Sequence, residues 1–226
     1  MISAIVFDFD GVLADSEILH LRAYQEVLAP LGLTISRDDY FARYLGFDDD
    51  GVFRAVAKDR GTAVGDGEIE GLIARKAQVF KALEGSAEIL FPGAVDCVQR
   101  LQAEFPLGIA SGALRHEIQA VLDRSGLSGA FAFIVASGDT PASKPAPDPY
   151  LRAAALHGYP PAACIAIEDS RWGIASAKAA GLACIGITQT YQASELTAAD
   201  AVIASLDEFT AELIRAIDRE RADGLR

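Results

Sequence analysis

The chain has 226 residues, 51% of them hydrophobic, enough for a sizeable core in one large domain or one domain carrying an insertion. Its net charge of −12, with no run of Lys or Arg, excludes the basic face that nucleic-acid binding needs. No apolar run approaches the ~20 residues of a membrane helix, and no basic leader opens the chain, so a cytoplasmic protein without membrane association is expected.

Ile2 to Phe7 is a β-branched apolar run that predicts a buried strand ending at Asp8. From Asp15 to about Glu88 no strand pattern occurs. Four amphipathic segments fill the interval, Ser16–Leu31, Arg37–Tyr44, Asp50–Arg60 and Glu68–Leu83, with Gly46, Gly61, Gly65 and Gly67 as punctuation. Beyond it, predicted strands at Leu107–Ala110, Phe131–Ala136, Ala163–Ile167 and Ala183–Ile187, and a weaker one at Ala201–Ile203, alternate with helical patterns. Those helices are Gly93–Glu104, Leu114–Arg124, Pro149–His157 and Arg171–Ala180. The alternation predicts an α/β fold with a parallel sheet. Residues 1–15 and 89–226 form the expected core, interrupted by a helical domain of residues 16–88. The charged tail Asp218–Arg226 is expected to fray. Cys97, Cys164 and Cys184 are scattered through apolar runs and read as buried thiols of a reducing compartment.

Polar residues gather where the strands end. Asp8 and Asp10 follow the first strand, Ser111 the second, and Glu168 and Asp169 the fourth; Lys144 lies in the loop after the third. In open parallel sheets ligands bind outside the carboxyl ends of the strands, so these residues should converge. Clustered carboxylates repel one another unless they hold a cation or a proton, and a few protein oxygens completed by water and phosphate suit Mg²⁺. Ser111 and the amides after it can hydrogen-bond a phosphoryl oxygen, and Lys144 can neutralise it. A carboxylate is a competent nucleophile at phosphorus, and a second acid two residues on can serve as general acid and base.

Four phrases carry a family resemblance. Asp8-Phe9-Asp10-Gly11-Val12-Leu13, Ala110-Ser111-Gly112, Ser143-Lys144-Pro145-Ala146-Pro147-Asp148, and Glu168-Asp169-Ser170 with Gly173 resemble, in order, the four motifs of the haloacid-dehalogenase-like superfamily. The insertion point resembles the helical-cap subclass. The resemblance implies a Rossmann-like core with an inserted α-helical cap. Asp8 would be nucleophile and Mg²⁺ ligand, and Asp10 general acid/base, its carbonyl on the metal. Ser111, Gly112 and Lys144 would hold the phosphoryl group. Asp169 would be a metal ligand, and Glu168 a ligand or its supporting partner.

Within the family, Asp10 implies an oxygen leaving group, because halide departure needs no proton. The appearance is nearest the β-phosphoglucomutase and small sugar phosphatase group. His20 sits where that group often has a hinge His, or is a polar residue on a helix face. Arg115 follows the second motif and could face the cleft or solvent; Arg75-Lys76 is a basic cap pair or a solvated face. Mutases of the group carry cations around a cap-loop glycine; here Gly46 is flanked by Leu45 and by Phe47, Asp48, Asp49 and Asp50. That acidic run ranks hydrolysis of a small phosphorylated metabolite above mutase activity. Tyr44, Leu45 and Phe47 form a candidate apolar wall or ordinary cap packing. A phosphoaspartate signalling module is disfavoured by the cap and by Asp10. With no leftover apolar surface segment, a monomer is expected.

Overall fold

The computed structural model describes residues 1–44, 49–84 and 89–224. The chain divides into two compact units, Met1–Asp15 with Leu90–Arg226, and Ser16–Ile89. Strand β1 (Ala4–Phe7) is buried along its whole length. A strand with no polar face belongs to a sheet covered on both sides.

After β1 the chain enters the second unit. It builds α1 (Ser16–Leu28) with a 3₁₀ turn at Ala29–Leu31, then α2 (Arg37–Asp39) running into a π-helical turn at Tyr40–Tyr44. Helices α3 (Asp49–Asp59) and α4 (Asp66–Glu84) follow. The unit has its own apolar core, including Leu21, Tyr24, Tyr40, Phe53, Val56 and Ile69. Its outgoing and returning chain ends lie side by side: the Phe91 N–H donates to the Leu13 carbonyl at 2.9 Å, and Ala14 and Leu90 form an antiparallel bridge.

The first unit continues with α5 (Ala94–Gln102), β2 (Leu107–Ala110), α6 (Arg115–Ser125), β3 (Phe131–Val135) and α7 (Asp148–His157). It ends with β4 (Cys164–Glu168), α8 (Arg171–Ala180), β5 (Ala183–Ile187), β6 (Ala201–Ile203) and α9 (Ala211–Gly224). Six parallel strands stand in the order β3-β2-β1-β4-β5-β6. The connections run outward from β1 to β3 and then cross back to β4, so the topological switch point falls between β1 and β4. This is a Rossmann-like α/β core with an inserted α-helical cap.

Three readings change. β3 is an edge strand and leaves Ala132 exposed, where its apolar run suggests full burial. Glu168 is the last residue of β4 rather than the first of the loop. The charged tail is helical to Gly224, because Ile214 and Ile217 are buried and the Asp218 carboxylate accepts from the Ile2 N–H at 3.1 Å. Cys97, Cys164 and Cys184 are free and buried.

Candidate active site

Strand register brings the polar residues to one edge of the sheet. Phe7 is level with Ile109 on one side and Ile167 on the other, so the next rung carries Asp8, Ala110 and Glu168. Ladder bonds extend one residue past the strands: the Asp8 N–H donates to the Ile167 carbonyl at 3.0 Å, and the Ser111 N–H to the Val135 carbonyl at 2.9 Å. Each side chain therefore leaves from a fixed backbone.

Asp8 Oδ1 accepts the Phe9 N–H at 2.7 Å and pairs with Lys144 Nζ at 2.9 Å. The same ammonium donates to Glu168 Oε1 at 2.6 Å, and the Tyr150 hydroxyl donates to that oxygen at 2.5 Å. Carboxylate oxygens of Asp8, Glu168 and Asp169 lie within 4.8 Å of one another, and all three residues are buried. Three carboxylates thus face one ammonium.

The electrostatics follow. Burial and then the Asp8 charge push Glu168 up to about 7, with Lys144 only partly opposing them. Burial, Asp8 and Glu168 likewise raise Asp169 well above the usual carboxylate range. Burial alone would depress Lys144, but Asp8 and Glu168 overcome it and hold its ammonium charged. Burial, then Glu168, raises Tyr150, which keeps its proton as a donor. Buried hard oxygen donors that ionise together only against one another's repulsion fit a divalent cation such as Mg²⁺, and Asp8, Glu168 and Asp169 are the side chains that could hold it.

Two glycines let the acids approach. Gly11 has φ 75°, and a Cβ there would sit 1.8 Å from Asp169 Oδ2. Gly173, in the first turn of α8, would place a Cβ 1.8 Å from Glu168 Oε2. Ala ordinarily favours a helix over Gly by about 1 kcal/mol. At Gly173 the clash should win: Gly173→Ala is expected to destabilise by about 2 kcal/mol in urea titration. A stabilised variant would show that Glu168 yields freely.

The other candidates are placed as follows. Ser111 is buried, and its Oγ accepts the Ala113 N–H at 3.1 Å. Ser111, Gly112 and Lys144 line one cavity. Asp10 is half-buried, bridged through its backbone to Ala14, and stands outside the acidic trio. Arg115 Nη2 donates to the Ile134 carbonyl at 2.8 Å and to Asp139 Oδ2 at 2.6 Å. His20 lies in the helical unit, with Nδ1 2.8 Å from Lys76 Nζ and its ring stacked on Phe80. Burial and Lys76 lower His20 to about 4, against the pull of Asp49.

The acidic cap run is not bare. Lys76, only 4% exposed, pairs with Asp49 Oδ1 at 2.8 Å, and the Tyr24 hydroxyl donates to that oxygen at 2.6 Å. Asp50 pairs with Arg54 at 2.8 Å. Carboxylates with partners repel a second phosphate less than the sequence run suggests. Lys76 is accordingly no solvated helix face. Leu45, Gly46, Phe47 and Asp48 lie outside the described residues, and Tyr44 is buried with its hydroxyl donating to Asp59 at 2.6 Å.

Sequence reasoning missed Tyr150, which reads as core on α7 although it follows the Lys144–Asp148 phrase. It also missed Thr190, whose hydroxyl bonds to Asp169, and Gln189, whose amide nitrogen, turned inward, reaches the Gly11 carbonyl at 2.7 Å. Both lie just beyond β5, where the strand-end rule could have found them.

A parallel sheet holding a buried carboxylate cluster and one lysine at its switch point defines an α/β enzyme built around an acidic strand-end site. A model of the haloacid dehalogenase-like hydrolases matches residues 2–181, and the chain belongs to that family. It is similar to protein CbbY of Rhodobacter capsulatus, 38% identical over 210 residues, 88% of this chain and 91% of that protein. Hexitol phosphatase B of Escherichia coli (strain K12) is 33% identical over 93% of this chain and 96% of its own. Among solved structures, a variant of CbbY from Rhodobacter sphaeroides in complex with xylulose-(1,5)bisphosphate matches with TM-score 0.72 and 30% identity. The match covers 92% of this chain and 96% of that one.

Proposed function

We propose that this chain is a phosphatase that hydrolyses a small sugar or polyol phosphate through an aspartyl-phosphate on Asp8, with Mg²⁺ as cofactor. The observation that carries the reading is Asp8 itself. It is a buried carboxylate at the switch point, paired with Lys144 at 2.9 Å and grouped with Glu168 and Asp169. The names of hexitol phosphatase B and of the CbbY complex support a phosphorylated sugar or polyol as substrate.

In this reading the Asp8 carboxylate attacks phosphorus and the ester oxygen leaves with a proton from Asp10. Asp10, now a carboxylate, takes a proton from water as that water attacks the phosphorus of the aspartyl-phosphate. Phosphate departs and Asp8 is regenerated. Lys144 neutralises the transferring group, and Ser111 with the amides after it hydrogen-bonds its oxygens. Tyr150 and Lys144 together hold Glu168 in place. Mg²⁺, held by Asp8, Asp169, the Asp10 carbonyl and Glu168 or a group it supports, would polarise the phosphoryl oxygens and offset the acidic charge.

The test is p-nitrophenyl phosphate turnover with Mg²⁺ and with EDTA. Chelation is expected to cut the rate on the order of a hundredfold or more. A panel of sugar and polyol phosphates, including β-glucose 1-phosphate with and without a bisphosphate activator, identifies the acceptor. Inorganic phosphate as product supports hydrolysis; an isomerised sugar phosphate without phosphate release would make the chain a mutase. No helix among the described residues is long and apolar enough to cross a membrane.

A further inference from the structure

The core unit contains a cavity of about 360 Å³ that the phosphoryl chemistry does not use up. Ser111, Gly112 and Lys144 form one part of its wall; Ala136, Ser137, Gly138, Thr140, Ser143 and Pro149 form the rest. Its size falls within the roughly 300–1,000 Å³ of small-molecule sites, well beyond what one phosphoryl group fills.

The chemistry of that wall is specific. Lys144 is its one charged side chain, and the ammonium is already committed to Asp8 and Glu168. A second phosphate would therefore find no free cation there. What the wall offers is hydroxyl groups. Those of Ser137 and Ser143 make no hydrogen bond to another described residue, and Thr140 Oγ1 donates to the Ala142 carbonyl at 2.9 Å, keeping its lone pairs as acceptors. Hydroxyls that donate and accept match the hydroxyls of a sugar or polyol, and Ala136 and Pro149 supply apolar contact for its C–H faces.

The loop that carries these groups is held in place. Asp139 Oδ2 accepts the Ala136 N–H at 2.8 Å and Arg115 Nη2 at 2.6 Å, while the Ser137 N–H donates to the Ala113 carbonyl at 2.9 Å. Arg115 thus ties the loop after β3 to the start of α6.

We infer that this hydroxyl-lined cavity is the specificity site for an uncharged polyhydroxyl part of the substrate, read by Ser137, Thr140 and Ser143. Arg115 and Asp139 are positioning residues that shape it. The inference rests on the phosphatase reading above. It places part of substrate selection on the core unit, with no appeal to the cap.

The test compares kcat/KM for a hexitol phosphate and for p-nitrophenyl phosphate, which has no polyhydroxyl part. In the double variant Ser137→Ala, Thr140→Val the ratio of the two is expected to fall about tenfold, mainly through KM for the hexitol phosphate. Thr140→Ser, which keeps the hydroxyl, should leave the ratio near that of the wild type. Arg115→Gln should lower the ratio as well, through KM for the hexitol phosphate, because it frees the loop that Asp139 anchors. An unchanged ratio in the double variant, with both substrates still turned over, overturns the cavity assignment alone. Failure of the wild type to turn over p-nitrophenyl phosphate with Mg²⁺ overturns the phosphatase reading, and this inference with it.

Discussion

Asp8→Asn is expected to abolish phosphatase turnover, on the order of 10⁴-fold or more. The change is nearly isosteric, so the fold should survive it. It replaces a charged oxygen nucleophile by a neutral amide whose lone pair is delocalised, and that group cannot form an acyl phosphate at a useful rate. Lys144 keeps its Glu168 partner, 2.6 Å away, so the substitution leaves no buried ammonium unpaired. A steady-state assay beside a circular dichroism spectrum checks both points. Residual activity within tenfold of the wild type would remove Asp8 as nucleophile. With p-nitrophenyl phosphate, whose leaving group departs without a proton, Asp10→Asn separates the two half-reactions: aspartyl-phosphate should accumulate beyond the wild-type level, because the water-activating base is gone while formation on Asp8 continues. Acid-quench trapping of labelled protein reads it directly.

The second large effect is on stability. Without a divalent cation the folded chain holds Glu168 up at about 7, against 4.5 for an ordinary glutamate. Between those values the folded protein keeps a proton that the unfolded chain has released. Raising the pH therefore favours unfolding. Stability from this source is fully present below about pH 4.5 and is lost as the pH rises through about 7. Asp169, raised for the same reasons, acts in the same direction. Mg²⁺ should do at neutral pH what the protons do in acid. In thermal melts with EDTA, the midpoint should fall from pH 5 to pH 7.5, less steeply in Glu168→Gln. Adding Mg²⁺ at about a hundred times its dissociation constant should restore about 2.7 kcal/mol at pH 7.5 and much less at pH 5. A Mg²⁺ effect equal at both pH values would mean the cation and the protons do not share the carboxylates.

Much of this was legible in the sequence because parallel strands write themselves plainly. Buried strands such as Ala4–Phe7 and Ala183–Ile187 are unbroken apolar runs, and the residue after each falls on the ligand-binding edge by topology alone. Asp8 and Ser111 stand at that position, Asp169 follows Glu168 at the end of β4, and Lys144, farther along the loop after β3, reaches Asp8 and Glu168. Side-chain pairing was less legible. Nothing in the spacing of Asp49 and Lys76 says that they meet, because that contact depends on how α3 and α4 pack. The run Asp48–Asp50 consequently read as bare charge, although Asp49 and Asp50 have partners. Tyr150 was hidden for the opposite reason: a buried aromatic on a helix has the same pattern whether or not its hydroxyl is used. The tail misled through composition: Asp218–Gly224 is charged, and the buried Ile214 and Ile217 that anchor the helix lie ahead of it, in the first half of α9.

The stapled junction at Leu13–Ala14 and Leu90–Phe91 has a consequence for how such a chain can change. The core closes over the insertion with its own backbone bonds, so the two ends stay neighbours whatever sequence joins them. Closing a longer connection costs little, about 0.6 kcal/mol for each doubling of its length. The helical unit brings a separate apolar core, so its folding does not draw on the core's residues. The junction therefore acts as a socket: one insert can be exchanged for another while the carboxylates at the sheet edge stay untouched.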